Sequence, residues 1–144
     1  MKTAIVGMGV IGKVHYQVLQ ELNADIVALC DVDSTKLSND YVGEKFTDYE
    51  EMLKTVKPDV VHICTPHYLH TDMIISALNK GINVLSEKPL CIRFEDIDRI
   101  LEAEKNSTAK LGVCHQNRFI AQNMFIKDYI GERSVLDGYG DLEP

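Results

Sequence analysis

Short apolar runs alternate along the chain with longer segments in which apolar residues recur every three or four positions. A short, nearly continuous apolar run predicts a strand that is buried on both faces. Such runs stand at residues 2–7, 25–30, 59–64, 82–85 and 110–114. The segments between them predict helices, since a period of about 3.6 residues gathers their apolar side chains on one face.

Apolar stripes mark most of these helices. The stripes are Ile11, Val14, Val18 and Leu22; Met52, Leu53 and Val56; Leu69, Met73, Ala77 and Leu78; and Phe94, Ile97, Ile100 and Leu101. A short helix is expected from about Ser34 to Val42, and a weaker one from Phe119 to Ile130. Each strand is therefore followed by a helical segment.

Capping and breaking residues support these boundaries. Thr47 and Glu50 have the spacing of a capping box, and Pro58 ends the helix that follows them. Gly81 ends the next helix after a basic residue, as a left-handed glycine does. Parallel strands need such helical crossovers, so the predicted fold is α/β, a parallel sheet with helices on both faces.

Composition excludes several classes of partner. The 144 residues are 45% hydrophobic, which is enough for one domain with a real core, and the formal net charge is −7. No basic run could neutralise a phosphate backbone, so nucleic acid is not an expected partner. No apolar stretch approaches the roughly 18 residues that span a bilayer. Four widely spaced cysteines indicate reduced thiols and a cytoplasmic protein.

Gly7, Gly9 and Gly12 have the G-x-G-x-x-G spacing, directly after the first predicted strand. The first glycine permits the tight turn, the second lets backbone approach a pyrophosphate, and the third lets the helix pack closely on the strand. Main-chain N–H groups near Val10 and Ile11 would face the diphosphate at the positive end of the helix dipole. Taken alone, the glycines also fit an ordinary flexible turn.

Asp31 follows the second predicted strand, 19 positions after Gly12. A carboxylate at this place accepts hydrogen bonds from the hydroxyls of the adenosine ribose. It also repels a 2′-phosphate, so NAD is favoured over NADP. The alternative is a solvated residue at the end of a strand, but together with the glycines Asp31 predicts a dinucleotide site.

The chain resembles the Gfo/Idh/MocA oxidoreductases, a family named after glucose–fructose oxidoreductase and inositol dehydrogenase. The resemblance covers nearly all of the chain and implies that the α/β fold is a Rossmann-type doubly wound parallel sheet with helices on both faces. It rests on five motifs in register, namely Gly7–Gly12, Cys30–Asp33, Thr65–His70, Glu87–Pro89 and Gln116–Phe119.

The resemblance implies roles for residues outside the glycine turn. Thr65 and Pro66 correspond to a turn that passes beside the cofactor, and His70 to the helix behind it, where a local structural role is the alternative. In the family's Glu-Lys-Pro signature, the resemblance implies that Glu87 is a cofactor-binding residue and that Lys88 is catalytic, since the lysine of this signature is implicated in substrate binding and proton handling. An ammonium there can polarise a carbonyl or hold a hydroxyl. The sequence leaves open whether the Lys88–Pro89 bond is cis or trans.

A metal site is the less favoured interpretation of the histidines and cysteines. His62, Cys64, His67 and His70 could each ligate zinc, but their spacing across a strand-to-helix break matches no standard site. Cys64 is better explained as an apolar filler, and His15 as a structural residue in the first helix. We therefore expect no bound metal.

The resemblance implies two domains and an enzymatic function. Residues 1–130 are expected to be a dinucleotide-binding domain, and residues 131–144 the start of a C-terminal substrate domain that is otherwise missing. The implied activity is NAD(H)-dependent oxidoreduction of a sugar, polyol or related substrate by a homo-oligomer, with this chain alone not competent for turnover. The alternative is a non-catalytic dinucleotide-binding regulator or sensor.

Overall fold

The computed structural model describes residues 1–130. The predicted start of a second domain, residues 131–144, lies outside that range. Residues 1–114 form one compact unit, and a second unit begins at His115. No helix in the described range is long and apolar enough to cross a bilayer.

The first unit alternates strands and helices in the predicted manner. The strands are β1 (Lys2–Val6), β2 (Asp25–Cys30), β3 (Glu44–Phe46), β4 (Val60–Ile63), β5 (Asn83–Ser86) and β6 (Leu111–Val113). The helices are α1 (Val10–Glu21), α2 (Tyr49–Val56), α3 (His70–Asn79) and α4 (Phe94–Lys105). Single 3₁₀ turns occupy Ser34–Lys36 and His67–Leu69, and the second unit contains a third (Gln116–Phe119) followed by α5 (Ala121–Ile130).

All six strands are parallel, in the order β3-β2-β1-β4-β5-β6. The chain builds outward from β1 to β3 and then crosses back to β4, which pairs with the other side of β1. The connections after β1 and β4 therefore leave the sheet in opposite directions and open a crevice at its carboxyl edge. This confirms the predicted doubly wound sheet and identifies where a ligand would bind.

The core lies in two layers because successive side chains of a strand point to opposite faces. Ala4 and Val6 of β1 belong to the cluster packed against α2, α3 and α4. Ile5 between them belongs to the cluster packed against α1, which contributes Tyr16 and Leu19. The prediction of helices on both faces is confirmed.

The apolar stripe that predicts α1 is not the face that packs on the sheet. Ile11, Val14, Val18 and Leu22 are 36–70% exposed, whereas Gly12, Tyr16 and Leu19 are buried. The reason is steric: a Cβ placed on Gly12 would lie 1.9 Å from the Gly7 carbonyl oxygen. Helix α1 packs on the sheet through the side that carries Gly12. Tyr16 and Leu19, four and seven positions later, lie on that same side.

Helix α4 departs from its predicted stripe in the same way. Only Ile100 of that stripe is buried, while Phe94, Ile97 and Leu101 are exposed. The buried face also contains Asp96, whose carboxylate accepts hydrogen bonds from two arginines. A buried acid with these partners replaces the aliphatic contact that the spacing predicts.

The helix predicted from about Ser34 to Val42 is wrong. Its backbone closes only a 3₁₀ turn at Ser34–Lys36, and the chain then enters β3, which the sequence reading missed. Side chains in this segment bond to nearby main-chain N–H groups, such as Asp33 to Thr35, and this competes with helix formation. Strand β3 has only one half-buried residue, Phe46, and hence little apolar signal.

The start of α2 is shifted by one residue from the predicted capping box. Asp48, rather than Thr47, is the N-cap, and its carboxylate accepts the N–H of Glu51 at 2.8 Å. The acid is a stronger acceptor for the first turn than the hydroxyl beside it. The predicted end of the helix is confirmed, since α2 stops at Val56 before Pro58.

Replacing Gly12 with alanine should destabilise the first unit, because the new Cβ meets the Gly7 carbonyl and helix α1 must move away. We expect the free energy of unfolding in urea to fall by about 1–3 kcal/mol. Gly9→Ala is the matched control, since a Cβ there has no heavy atom within 4 Å. Equal stability of the two variants would contradict the proposed packing.

Candidate dinucleotide site

The glycine turn opens at the carboxyl end of β1 and leads directly into α1. Gly7 has a positive φ of 89°, and its N–H donates to the Cys30 carbonyl at 2.8 Å. Gly9 is the N-cap of α1 and provides no side-chain cap, while space beside its α-carbon is open. Main-chain N–H groups at the helix N-terminus can therefore approach a bound diphosphate.

Gly7 is also required by the neighbouring strand. A Cβ on it would lie 2.7 Å from the carbonyl carbon and oxygen of Cys64, at the end of β4. The connection after β4 thus comes into direct contact with the glycine turn. Because Gly7 has no side chain, the glycine turn and the end of β4, which form the two walls of the crevice, can lie against each other.

Asp31 is anchored to the same turn. It is 6% exposed, and one carboxylate oxygen accepts the Met8 N–H at 2.8 Å. The other oxygen accepts the Asp33 N–H at 2.9 Å and lies 3.3 Å from the Lys36 ammonium. The predicted acid and the predicted glycine turn are therefore brought together by a direct hydrogen bond between residues 23 positions apart in the chain.

A cavity of about 170 Å³ lies at this carboxyl edge. Its lining includes four of the predicted site residues, Gly7, Asp31, Thr65 and Pro66. These residues come from the ends of β1, β2 and β4, the strands around the crossover point. The sheet order brings them together although they span almost 60 positions of sequence.

His70 lies behind the cavity rather than in it. The side chain is fully buried, with Nε2 2.9 Å from the Thr65 carbonyl and Nδ1 2.8 Å from the Pro89 carbonyl. The ring thereby connects the turn after β4 to the turn after β5. Because both ring nitrogens face these backbone oxygens, the geometry is that of a residue that positions the two turns.

The carboxylate of Glu87 is directed inward, toward helix α1. It is 6% exposed, and its Oε1 lies 3.0 Å from Nε2 of His15. Burial alone would raise the pKa of Glu87. Hydrogen bonds from His15, Cys114 and the main-chain N–H of Lys88 outweigh that effect, and the pKa is lowered. The carboxylate is thus held ionised at the base of the Glu-Lys-Pro turn.

Lys88 lies on the exposed side of this turn, and the Lys88–Pro89 bond is cis. The backbone of Lys88 is held by Glu87, since its N–H donates to Oε2 at 3.2 Å. Within residues 1–130 its ammonium has no ion-pair partner. The lysine therefore projects from an anchored backbone at the carboxyl edge of β5.

His15 and His62 form a cluster with Glu87 that sequence analysis did not identify. The two Nδ1 atoms are 3.0 Å apart, and the rings meet edge to face. Burial, reinforced by the charge of His15, lowers the pKa of His62 to about 4. His15 follows Gly12 by three residues and so shares the sheet-facing side of α1. In the sequence, the three-residue spacing from Gly12 was the signal that His15 faces the sheet.

No three of the four residues considered for a metal site bring their ligand atoms together. His67 is exposed, while His70 is bonded to two carbonyl oxygens. Within the described range, the one group of possible ligand atoms consists of His15, Glu87 and Cys114, which lie within 4.8 Å of one another. Hydrogen bonds already link Glu87 to the other two.

Folding stability should depend on pH through His62. Its pKa is about 4 when folded against 6.5 when free, so the unfolded chain binds the proton more tightly. Stability is complete above about pH 6.5 and falls as the pH decreases toward about 4. We expect urea unfolding to show a loss of about 1–2 kcal/mol between pH 7 and pH 5.

His62→Asn should flatten this dependence because no titrating ring remains. His67→Asn is the control, since that ring is exposed and its removal should leave the profile unchanged. If the free energy of unfolding of the wild type did not change between pH 7 and pH 5, the fold would not favour the neutral form of the His62 ring.

Comparison with known proteins identifies the domain. A model of the oxidoreductase family with an NAD-binding Rossmann fold, GFO_IDH_MocA, matches residues 1–115. Inositol 2-dehydrogenase of Salmonella typhimurium is 28% identical over 145 residues, which cover 95% of this chain and 41% of that protein. The chain thus spans about two fifths of the length of this relative.

Solved structures agree in fold. WlbA dehydrogenase of Bordetella pertussis, in complex with NADH and UDP-GlcNAcA, has a TM-score of 0.86 and 28% identity over 90% of this chain and 41% of its own. Scyllo-inositol dehydrogenase of Lactobacillus casei, with NAD(H) and scyllo-inositol bound, has a TM-score of 0.84 and 28% identity over 90% and 40%. The chain belongs to the Gfo/Idh/MocA oxidoreductase family and contains its NAD-binding Rossmann domain.

Proposed function

We propose that this chain is the cofactor-binding part of an NAD(H)-dependent oxidoreductase that acts on a sugar, a polyol or a related hydroxyl or carbonyl compound. The observation that carries the proposal is the bond from the Met8 N–H to Asp31, which joins the glycine turn, proposed to bind the diphosphate, to the acid proposed to bind the ribose. Family membership and relatives named as inositol dehydrogenases support the reaction class.

The glycine turn would hold the cofactor through its main chain. The N–H groups around Gly9, Val10 and Ile11 would face the diphosphate, while Gly7 and Gly12 keep the turn compact. Asp31 would accept hydrogen bonds from the adenosine ribose. Its charge disfavours a 2′-phosphate, which supports NAD over NADP as the preferred cofactor.

The connections after β4 and β5 would form the other side of the site. Thr65 and Pro66 line the cavity and would contact the cofactor, with His70 holding their turn in place. The hydride would be supplied or accepted by NAD when it is bound here. Lys88 would hold the substrate oxygen and share its proton, while Glu87 keeps the backbone of the lysine in position.

We further propose that residues 1–130 act as the dinucleotide-binding domain and that residues 131–144 begin a substrate domain. The second wall of the reaction site would come from that domain, because hydride transfer requires substrate and cofactor to be held together. A cytoplasmic location accords with the thiol state of the cysteines. A homo-oligomer accords with the exposed apolar stripe of α1.

Asp31→Asn should weaken NADH binding because a neutral amide accepts ribose hydroxyl bonds less strongly and can offer only one oxygen. We expect a loss of about five- to thirtyfold, or about 1–2 kcal/mol, by isothermal titration. Asp25→Asn, at the opposite end of β2 and exposed, is the control. Unchanged affinity in the Asp31 variant would remove the acid from the site.

Lys88→Ala, in a protein that includes the proposed substrate domain, should abolish most turnover on a polyol panel while NADH affinity stays within about twofold. The expected loss in kcat is on the order of 10²-fold or more, as for removal of a group that handles the transferred proton. Lys110→Ala is a control on an exposed lysine at the other edge of the sheet. Binding without turnover in the wild-type protein would instead favour a dinucleotide-binding regulator.

A further inference from the structure

Lys36 lies at the ribose end of the proposed cofactor site, on the 3₁₀ turn after β2. Its Nζ is 3.3 Å from Oδ1 of Asp31. The lysine side chain is 42% exposed, whereas the acid is 6% exposed, so the ammonium covers the outer side of the carboxylate. Among the residues that line the adjoining cavity, Asp31 and Lys36 are the two that carry a charge at neutral pH.

The carboxylate of Asp31 has little unused hydrogen-bonding capacity. It offers about four acceptor positions, and three are occupied by Met8 N, Asp33 N and the Lys36 ammonium. A ribose diol would donate two hydrogen bonds. Since the two main-chain donors are part of the fold, the lysine is the partner that must move aside when ribose binds.

The displaced ammonium would remain beside the ribose. Lys36 is anchored by its turn, and the carboxylate continues to attract it over a few ångströms. A phosphate on the 2′-oxygen would project toward the same outer side, because that oxygen is one of the two ribose oxygens placed beside Asp31. The lysine can then form a charge-assisted hydrogen bond with the phosphate and offset repulsion by the acid.

Asp33 is the other acid near the ribose end, and its negative charge only partly opposes the attraction between Lys36 and a 2′-phosphate. Its carboxylate is turned into its own 3₁₀ turn, where it accepts the N–H and hydroxyl of Thr35 at 3.0 and 2.6 Å. Those bonds hold the pKa of Asp33 below its usual value, so its charge is present at neutral pH. One cation therefore faces two anions at the ribose end, and NAD keeps its advantage.

Building on the proposed cofactor role of this domain, we propose that Lys36 is a specificity-determining residue that admits NADP(H) as a second cofactor. The acid alone would exclude the 2′-phosphate. Lys36 reduces the difference between the affinities for NAD(H) and NADP(H), so the ratio of these two affinities depends on this one exposed side chain.

The test is to titrate the 144-residue chain with NADH and NADPH by calorimetry, as wild type and as Lys36→Ala, Lys36→Arg and Lys36→Glu. We expect wild-type Kd values for the two nucleotides within about thirtyfold of each other. Lys36→Ala should weaken NADPH about tenfold or more and change NADH less than about threefold. The arginine variant should retain NADPH binding, and the glutamate variant should lose it.

Two controls separate the lysine's charge from other effects. Lys54→Ala removes an exposed lysine of α2 and should leave both affinities unchanged. Raising the salt concentration should weaken NADPH more than NADH in the wild type, and this difference should shrink in Lys36→Ala. Circular dichroism of each variant verifies that the fold is intact.

The possible failures are distinguishable. NADH binding with no detectable NADPH binding, or an NADPH affinity that Lys36→Ala leaves unchanged, would overturn the role of Lys36 while the proposed function stands. Equal loss of affinity for both nucleotides in Lys36→Ala would also overturn it. The lysine would then contribute to the binding of either nucleotide and not to the choice between them. Absence of binding by either nucleotide would overturn both the proposed function and this inference.

Discussion

The close packing of main chain around the glycine turn is the constraint on which the site depends. Helix α1 can approach β1 only because Gly12 has no side chain to meet the Gly7 carbonyl. The end of β4 can approach the same turn only because Gly7 has none either. These two contacts bring a helix N-terminus and two strand ends together, which makes the crevice a property of backbone geometry.

Asp31 has a structural role in this arrangement and, in the proposed function, a chemical role as well. Its bond to the Met8 N–H holds the turn in place, and the residue also lines the cavity. A residue with both roles is well placed for binding, because the fold has already restricted its side chain before a ligand arrives. The ammonium of the neighbouring Lys36 lies 3.3 Å from this carboxylate, whose position is already set.

Buried polar side chains also hold the turns along the rest of the carboxyl edge in place. His70 links the turns after β4 and β5, and Glu87 is held from below by His15. Lys88 is consequently an exposed side chain on a firmly bonded backbone. Such a polar network is stabilising only when each member has a partner, and in the described residues every buried side-chain polar atom has one.

Local pattern in the sequence determined the α/β class, the positions of most strands and helices, and the glycine turn with its acid. These features depend on neighbouring residues, since apolar period and glycine spacing act over a few positions. Local pattern did not determine which face of α1 packs, because the Gly12 contact overrides the more apolar stripe. It also missed β3, whose three residues are held by pairing with β2 rather than by apolar content.

Only the tertiary structure decided the inward roles of His70 and Glu87 and the pairing of His15 with His62. Each of these contacts joins residues from different elements, and the crossover order of the sheet is what brings them within hydrogen-bonding distance. The same holds for Lys36, which in sequence is one lysine among several near the surface. Its significance comes from the 3.3 Å that separates it from Asp31, a distance set by how the chain turns after β2.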